Sequence, residues 1–447
     1  MVMFAIPGEL VEVRIERNYS RYSEAKLLNV LEPSPDRVEP KCPLYTKCGG
    51  CQYQHLAYSA ELDWKRRHVK SALEDFSGMK LPEELVAETT ASPKEYHYRQ
   101  KLTPRLQGMA PKGGDPRFQD VDADGPIGIC AQEWGDYRDA NGRRFRPVVE
   151  IEACPLATEA INAALPTAKA LLRKRAARFL APLSQAARRA ASQRKRGELV
   201  SLLRQTRLDG VVCDRWNQVM TEEIPGVGKF KFAAGRFFQV NGSILPSFVR
   251  AVVDAAAASW IGEEGRPQFL IDVYCGVGLF ALAGSSLFEA TFGIEVDKKA
   301  VALARENAKL NSICNAKFIR GDARRGLAQV AKEAPARIST VVVDPPREGL
   351  SRETCQLLTE WRPRRVVYVS CDPATQARDL QVLHAAGYEP QSVRPFDLFP
   401  QTRHVESVLV LELPADGLDP ATAPGSEEGG KKAANNLLNP KGLGFRV

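Results

Sequence analysis

Apolar positions recur with two different periods along this chain, and the change of period divides it. Near the start, Leu10-Val11-Glu12-Val13-Arg14-Ile15-Glu16 and Ala25-Lys26-Leu27-Leu28-Asn29-Val30-Leu31 alternate as half-buried strands do, and Pro33, Pro35 and Pro40 close this small β unit. From Tyr58 to Phe76, Leu62, Val69 and Leu73 return at helical spacing among Lys and Arg. A mixed region runs to about residue 235, and beyond it short β-branched runs alternate with helical stretches. The pattern predicts strands at 269–274, 292–296, 316–320, 340–344, 365–369 and 405–413, with helices at 279–287 and 300–310 between the first of them. Such alternation belongs to an α/β fold with a doubly wound, mostly parallel sheet. The run from Pro414 to Lys432 is rich in Pro, Gly, Ala, Asp and Glu, and the tail 414–447 is expected to be disordered.

In open α/β sheets, ligands bind outside the carboxyl ends of the strands. Two predicted strand ends carry reactive side chains: Arg365-Val366-Val367-Tyr368-Val369 runs into Ser370-Cys371-Asp372-Pro373, and Val341-Val342-Val343 runs into Asp344-Pro345-Pro346. A third ends in Asp272-Val273-Tyr274-Cys275-Gly276-Val277-Gly278, where missing Cβ atoms let a ligand approach the backbone. Glu295 ends the next strand, at the spacing where an acid accepts hydrogen bonds from ribose hydroxyls. The glycine pattern is too short for a dinucleotide fingerprint, so a nucleoside without a pyrophosphate, such as S-adenosylmethionine, fits better. Asp322 ends the following strand and is placed to contact the adenine, or else to cap a helix.

Composition narrows the class. With 447 residues and 44% hydrophobic positions the chain suits two or three domains, and no apolar stretch approaches the roughly 20 residues that cross a bilayer. A soluble, intracellular protein without membrane contact is expected, cytoplasmic by default, with a plastid or mitochondrion as the alternative in a eukaryote. The net charge of +8 is modest, but Arg173, Lys174, Arg175, Arg178, Arg188, Arg189, Arg194, Lys195 and Arg196 crowd one segment. That segment suits either phosphates or a solvated helix face.

Ten cysteines at uneven spacing do not form a secreted disulfide framework. Cys42, Cys48 and Cys51 sit on a turn containing Gly49 and Gly50, which suits convergence on an iron-sulfur cubane or on zinc. A fourth ligand must come from afar, with Cys154 and Cys130 as candidates. Cys213, Cys275, Cys314 and Cys355 read as ordinary buried or half-buried thiols.

Suppose that such a pocket transfers a methyl group from a sulfonium to a nucleobase; the candidate side chains then acquire roles. C5 of uracil is a poor nucleophile until a thiolate adds at C6, and a base must afterwards remove the C5 hydrogen. Glu406, just inside the last predicted strand, is the candidate base, with a strand-end salt bridge as its plainer role; His404 suits a structural or RNA contact.

Taken in order, Phe237-Phe238-Gln239-Val240-Asn241, the 272–278 turn, Asp344-Pro345-Pro346-Arg347, Ser370-Cys371-Asp372-Pro373-Ala374-Thr375 and the His404 to Glu406 segment resemble the RNA uracil-C5 methyltransferases. Over about 1–413 the chain is most similar to their iron-sulfur branch acting on large-subunit ribosomal RNA. The resemblance implies S-adenosylmethionine as cofactor, Cys371 as nucleophile and Glu406 as proton acceptor. It implies Gln239, Tyr274, Glu295, Asp322 and Asp344 as cofactor-pocket residues, and a [4Fe-4S] cluster on Cys42, Cys48, Cys51 and Cys154. The implied product is 5-methyluridine in structured RNA, ribosomal RNA ahead of transfer RNA, made by a monomer. An RNA-binding assembly factor without catalysis is the alternative from another class.

The implied domains are a partial TRAM-like β unit at 1–39, a central iron-sulfur and RNA-binding α+β domain at 40–235, and a Rossmann-like methyltransferase domain at 236–413. The β unit begins at an internal portion of the TRAM pattern, Leu279 stands where relatives carry a small polar residue, and the basic stretch at 173–207 looks lengthened.

Overall fold

A computed structural model describes residues 1–107, 124–132, 146–180, 201–208, 212–259 and 267–414. The tail from 415 and the basic residues of 181–200 lie outside the described residues, so the expectations of disorder and of phosphate contact there go untested.

At the N-terminus β1 (Leu10–Asn18) and β2 (Ser23–Glu32) pair antiparallel, and among the described residues they form a two-stranded ribbon rather than a barrel. The cysteine turn leads into α1 (Tyr58–Ser77), which ends at Gly78 in the left-handed conformation, as a helix stop does. Short strands β3 (Lys101–Leu102), β4 (Arg105–Leu106), β5 (Ile127–Cys130), β6 (Val148–Glu150) and β7 (Leu203–Arg204) frame α2 (Glu159–Leu180). A hairpin of β8 (Val219–Ile224) and β9 (Gly228–Ala233) precedes α3 (Leu245–Ala257).

The large sheet then follows as β10 (Phe269–Val273), α4 (Leu279–Ala283), β11 (Ala290–Glu295), α5 (Lys298–Leu310), β12 (Ala316–Arg320), α6 (Ala323–Val330) and β13 (Ser339–Val343). It is completed by α7 (Arg352–Trp361), β14 (Arg365–Ser370), α8 (Pro373–Ala385), β15 (Glu389–Phe396) and β16 (Glu406–Glu412). The spatial order is β12-β11-β10-β13-β14-β16-β15, with the first five parallel and β16 antiparallel to both of its neighbours. The chain reverses its direction of travel across the sheet between β10 and β13, which opens a crevice at their carboxyl ends.

The predicted parallel strands are present within a residue or two. β15 escaped prediction because Pro390 and Pro395 interrupt its apolar pattern. An edge position tolerates both, since one side of an edge strand donates no ladder hydrogen bonds.

Strand alternation sends neighbouring residues to opposite faces. Leu270, Val342, Val367, Val369 and Val408 join one core with Phe248, Val249 and Val252 of α3. Ile271, Val341, Val343, Tyr368, Leu409 and Leu411 join the other with Leu327, Leu358 and Leu380. Both cores draw on residues before 236. Met220, Phe230 and Phe232 enter the first, while Val69 and Leu73 of α1 enter the second. Residues 86–90 also lie along β15, where the Ala87 amide donates to the Val393 carbonyl at 2.9 Å and the Thr90 amide to Pro395 at 2.8 Å. The region carrying the cysteines is thus packed directly on the sheet that carries the strand-end site.

One buried ionic cluster fastens the two. The Lys65 ammonium donates to Glu61 at 2.7 Å and to Asp397 at 2.6 Å, with all three side chains fully buried. Burial, and the excess of two carboxylates over one ammonium, pushes the Glu61 carboxyl up to about 8 and raises that of Asp397. A third oxygen, the Phe399 carbonyl, accepts from Lys65 at 3.3 Å, so the ammonium's three donors are all used. Replacing Lys65 by Ala strands two dry carboxylates and is expected to cost about 3–5 kcal/mol. A Lys65→Ala protein that melts within a degree or two of wild type, by circular dichroism, would contradict this.

Candidate active site

The glycine turn is shaped by its own hydrogen bonds. Tyr274, Gly276 and Gly278 all have positive φ, at 68°, 55° and 89°. At Gly278 an added Cβ would also meet the Phe318 ring at 2.9 Å, so that glycine answers a close approach. At Gly276 a Cβ would meet nothing within 4 Å, so there the backbone conformation alone selects glycine and the space above the turn is open. Glu295 holds this turn from the next strand, accepting from the Gly276 amide at 3.1 Å and from the Asp297 amide at 2.7 Å.

Beneath the turn, one oxygen of Asp272 accepts from the Ala281 amide at 2.9 Å, and the other has no hydrogen-bond partner among the described residues. Burial first, then the charges of Asp344 and Glu295, push this carboxyl up to about 8. Asp344 ends β13 beside it, and loss of hydration alone raises its carboxyl to about 7. Three carboxylates thus crowd the crevice between β10, β11 and β13, an environment that favours a cationic ligand.

Cys371 and Glu406 meet by register. Ser370 of β14 pairs with Ser407 of β16, and because the strands run oppositely the next residues outward are Cys371 and Glu406. The Cys371 loop is fixed by side chains. Ser370 Oγ accepts from the Asp372 amide at 3.0 Å, and Asp372 caps α8 through the Ala374 and Thr375 amides. Ser407 Oγ donates to Gln376 Oε1 at 2.6 Å, and Gln376 Nε2 donates to the Tyr368 carbonyl at 2.9 Å.

Burial pushes the Cys371 thiol up to about 11, Glu406 adds to that rise, and Arg347 opposes it. Burial likewise carries the Glu406 carboxyl well above the usual range, again with Asp344 adding and Arg347 opposing. A thiol, two acids and one guanidinium therefore share a single electrostatic neighbourhood. Loss of hydration first, then the charges of Arg347 and Arg403, push the half-buried His404 down to about 4, so it is neutral near pH 7.

The other expected pocket residues are Tyr274, Asp322 and Gln239. The half-buried Tyr274 ring packs against the second core, while its backbone forms part of the turn. Asp322 is exposed and caps α6 by accepting from the Arg325 amide at 2.9 Å, the capping role weighed for it. Gln239 is buried, and its carbonyl accepts from Arg204 at 3.1 Å; no described hydrogen bond joins its side chain to the strand ends. Two contributors carried no assigned role in the sequence: Arg347, visible only as the fourth residue of Asp-Pro-Pro-Arg, and Asp272, visible only as the acid opening the glycine motif.

A second constellation lies on the cysteine turn. Burial raises Cys42, and pushes Cys48 up to about 11 and Cys51 up to about 12, with Cys154 adding to the rise at each of the three. The fold has therefore gathered thiols that are more than a hundred residues apart in the chain. Cys130 is not among the charges they feel, although its carbonyl accepts from the Gly49 amide at 2.9 Å. Asn162 fixes Cys154, accepting from its amide at 2.9 Å and donating to its carbonyl at 3.0 Å. Among the described residues, no three Cys, His, Asp or Glu side chains are close enough to share one metal ion. Of the cysteines read as ordinary thiols, Cys213, Cys275 and Cys355 are buried and Cys314 is exposed. Within the basic segment, Arg204 is buried over the Phe232 ring, which makes it structural.

Among the described residues no helix is long and apolar enough to cross a membrane.

Comparison with known proteins gives a consistent result. Residues 218–413 match the model of the family described as tRNA (Uracil-5-)-methyltransferase. The tRNA (uracil(54)-C(5))-methyltransferase of Schizosaccharomyces pombe is 36% identical over 424 residues, covering 92% of this chain and 73% of the relative. Its namesake in Saccharomyces cerevisiae is 30% identical, covering 92% and 68%. An uncharacterized RNA methyltransferase of Halalkalibacterium halodurans is also 30% identical, over 92% of this chain and 91% of the relative. Among solved structures, the Pyrococcus abyssi tRNA (uracil-54, C5)-methyltransferase, in complex with S-adenosyl-L-homocysteine, superposes with a TM-score of 0.58 at 22% identity, covering 92% and 95% of the two chains. That likeness establishes the fold, an α/β methyltransferase fold preceded by a β unit. On the strength of its identity to the curated relatives, the chain belongs to the tRNA (uracil-5-)-methyltransferase family.

Proposed function

We propose that this protein methylates C5 of a uridine in RNA, with Cys371 as nucleophile and Glu406 as the base. The observation that carries the reading is the meeting of Cys371 and Glu406 one step beyond the Ser370–Ser407 pair, beside Asp344 and Arg347. S-adenosylmethionine, bound over the glycine turn and Glu295, supplies the methyl group as an electrophile together with a positive charge. The crowd of Asp272, Asp344 and Glu295 suits that charge. Its Gly276 amide, already held by Glu295, leaves open space in which a ligand can lie against the backbone.

The target uracil must leave its stack to reach the strand ends. The Cys371 thiolate, favoured by Arg347, adds to C6, and the electron pair of the C5=C6 bond moves to C5 and O4. Once C5 has gained the methyl group, it still bears its original hydrogen. The Glu406 carboxylate removes that proton, the C–H pair reforms C5=C6, and the C6–S pair returns to sulfur. Uracil-C5 methylation is thereby separated from amino-group methylation, which would give neither Cys371 nor Glu406 a task.

The substrate we favour is transfer RNA, on the names of the Schizosaccharomyces and Saccharomyces relatives. Ribosomal RNA is the second reading, because the four-cysteine set is what likened the chain to the ribosomal branch. For that set a [4Fe-4S] cluster is the proposal. An all-thiol donor set suits it, and a cubane spreads its ligands over four irons, whereas zinc draws all sulfurs to about 2.3 Å from one point. Among the described residues no three such side chains stand close enough to hold a metal ion, so the cluster rests on the four-thiol donor set and on the resemblance. The domain limits proposed are 1–39, 40–235 and 236–413, with the first core crossing the last boundary.

Four outcomes are expected. RNA containing 5-fluorouridine forms a covalent adduct with wild type and none with Cys371→Ala, read as a gel shift that survives denaturant; an adduct on Cys371→Ala would refute the nucleophile. Glu406→Gln transfers the methyl group but releases product about 10²–10⁴-fold more slowly. Because burial raises both Cys371 and Glu406, and both act deprotonated, wild-type turnover climbs as pH goes from about 6 to 9, and a flat profile would count against both roles. Anaerobically purified protein contains about four irons and four sulfides per chain, falling sharply in Cys48→Ser; stoichiometric zinc instead would overturn the cluster.

A further inference from the structure

Nothing in the reaction uses Gln52, yet the residue is saturated with contacts that join the cysteine turn to the segment delivering Glu406. Its side-chain amide donates to the Gly49 carbonyl and to Gln132 Oε1, each at 3.2 Å, while its Oε1 accepts from the Arg403 amide at 3.3 Å. Its own backbone amide and that of Tyr53 both donate to the Gln401 carbonyl at 3.1 Å. Gln401 is held at φ 68°, a conformation that non-glycine residues adopt at a cost, so the surrounding contacts must impose it.

The opposite side of the same segment is held by α1. Glu61 accepts from the Gln401 amide at 2.8 Å, and Asp397 accepts from the Phe399 amide at 3.2 Å. From Arg403 the chain reaches Glu406 in three residues: the His404 amide donates to Thr402 Oγ1 at 3.3 Å, its ring meets Phe399 edge-on, and Val405 is buried in the second core. A shift of the cysteine turn is therefore passed, through Gln52, to the start of β16.

We propose that Gln52 is a positioning residue for Glu406, so that the cysteine turn controls the proton-removal step and not the attack by Cys371. The inference rests on the roles given above to Cys371 and Glu406. Cys371 is supported separately, by Ser370, Asp372 and Gln376 on the β14–α8 connection, and none of those touches the cysteine turn. Disturbing Gln52 thus separates two steps of one reaction. Methyl transfer continues, and the methylated adduct waits for its proton to leave.

The test compares Gln52→Ala and Gln52→Glu with wild type, using full-length protein, S-adenosylmethionine, and one RNA carrying either uridine or 5-fluorouridine. With 5-fluorouridine, which has no C5 proton to lose, Gln52→Ala should form its adduct at the wild-type rate. With uridine it should accumulate a denaturant-resistant methylated adduct and release product about five- to tenfold more slowly, the loss expected from one hydrogen bond. Gln52→Glu keeps an acceptor for the Arg403 amide but has no amide hydrogens for Gly49 and Gln132, so it breaks the link to the cysteine turn and should slow release as Gln52→Ala does while leaving adduct formation unchanged. Equal slowing of adduct formation and release would overturn the inference, as would wild-type behaviour in both. Iron is measured in each preparation, and slow release only in iron-depleted Gln52→Ala would overturn it in favour of a cluster-holding role. Failure of wild type itself to form the 5-fluorouridine adduct would instead refute the reaction on which the inference depends.

Discussion

At Ser370 and Ser407 two neighbouring strands run in opposite directions, so the carboxyl end of β14 lies beside the amino end of β16. Every parallel strand of the sheet delivers its carboxyl end to the same edge, and an added strand of the same direction would bring another carboxyl end. Only reversal lets a residue that begins a strand join residues that finish one. The pair is held at its far end too, where the buried Arg365 guanidinium donates to Glu412 at 2.8 Å and 3.2 Å. A slip of one residue would turn each side chain to the opposite face. Register is consequently part of the chemistry, since it decides whether Glu406 or its neighbour faces Cys371.

The electrostatics of the site follow from the same enclosure. Dry surroundings penalise charge on Asp272, Asp344, Glu406 and Cys371 alike, and Arg347 is the cation felt by both members of the proposed catalytic pair. Without a cationic ligand the neighbourhood favours protonated forms, and a positive charge brought near it shifts the balance toward carboxylate and thiolate. In the cysteine turn, burial and mutual repulsion raise the thiols, and Arg99 opposes the rise at Cys48.

Much of the sheet was legible because its buried parallel strands are β-branched runs between glycine-rich or polar turns, a local signal. So was the gathering of Cys371, Asp344 and the glycine turn, because a single rule about strand ends brings them together. Other features depend on contacts remote in sequence. β15 is an edge strand whose prolines hide its pattern, and Glu61 and Lys65 read as surface charges on an amphipathic helix until Asp397 arrives to bury them. The side chain of Tyr274 could not be placed from its position next to the glycines, because its ring packs against the second core. Gln52 gave no sign beyond its place after a cysteine, since amide side chains announce their role only through the partners they find.

Asp397 and Lys65 are 332 residues apart in the chain. During synthesis, which proceeds from the N-terminus at roughly 5–20 residues per second, α1 is complete well before the partner of its lysine exists. Until then the Lys65 ammonium has Glu61 alone, and the apolar face bearing Val69 and Leu73 has no sheet to rest on. Contacts of such separation slow folding because a long loop must close before any reward is collected. The first third of this protein is thereby committed to waiting for the last, and a ribosome that stops short of residue 397 leaves a helix with an apolar face exposed. The lysine that fastens the finished fold together thus gains its second carboxylate only after β15 has been made.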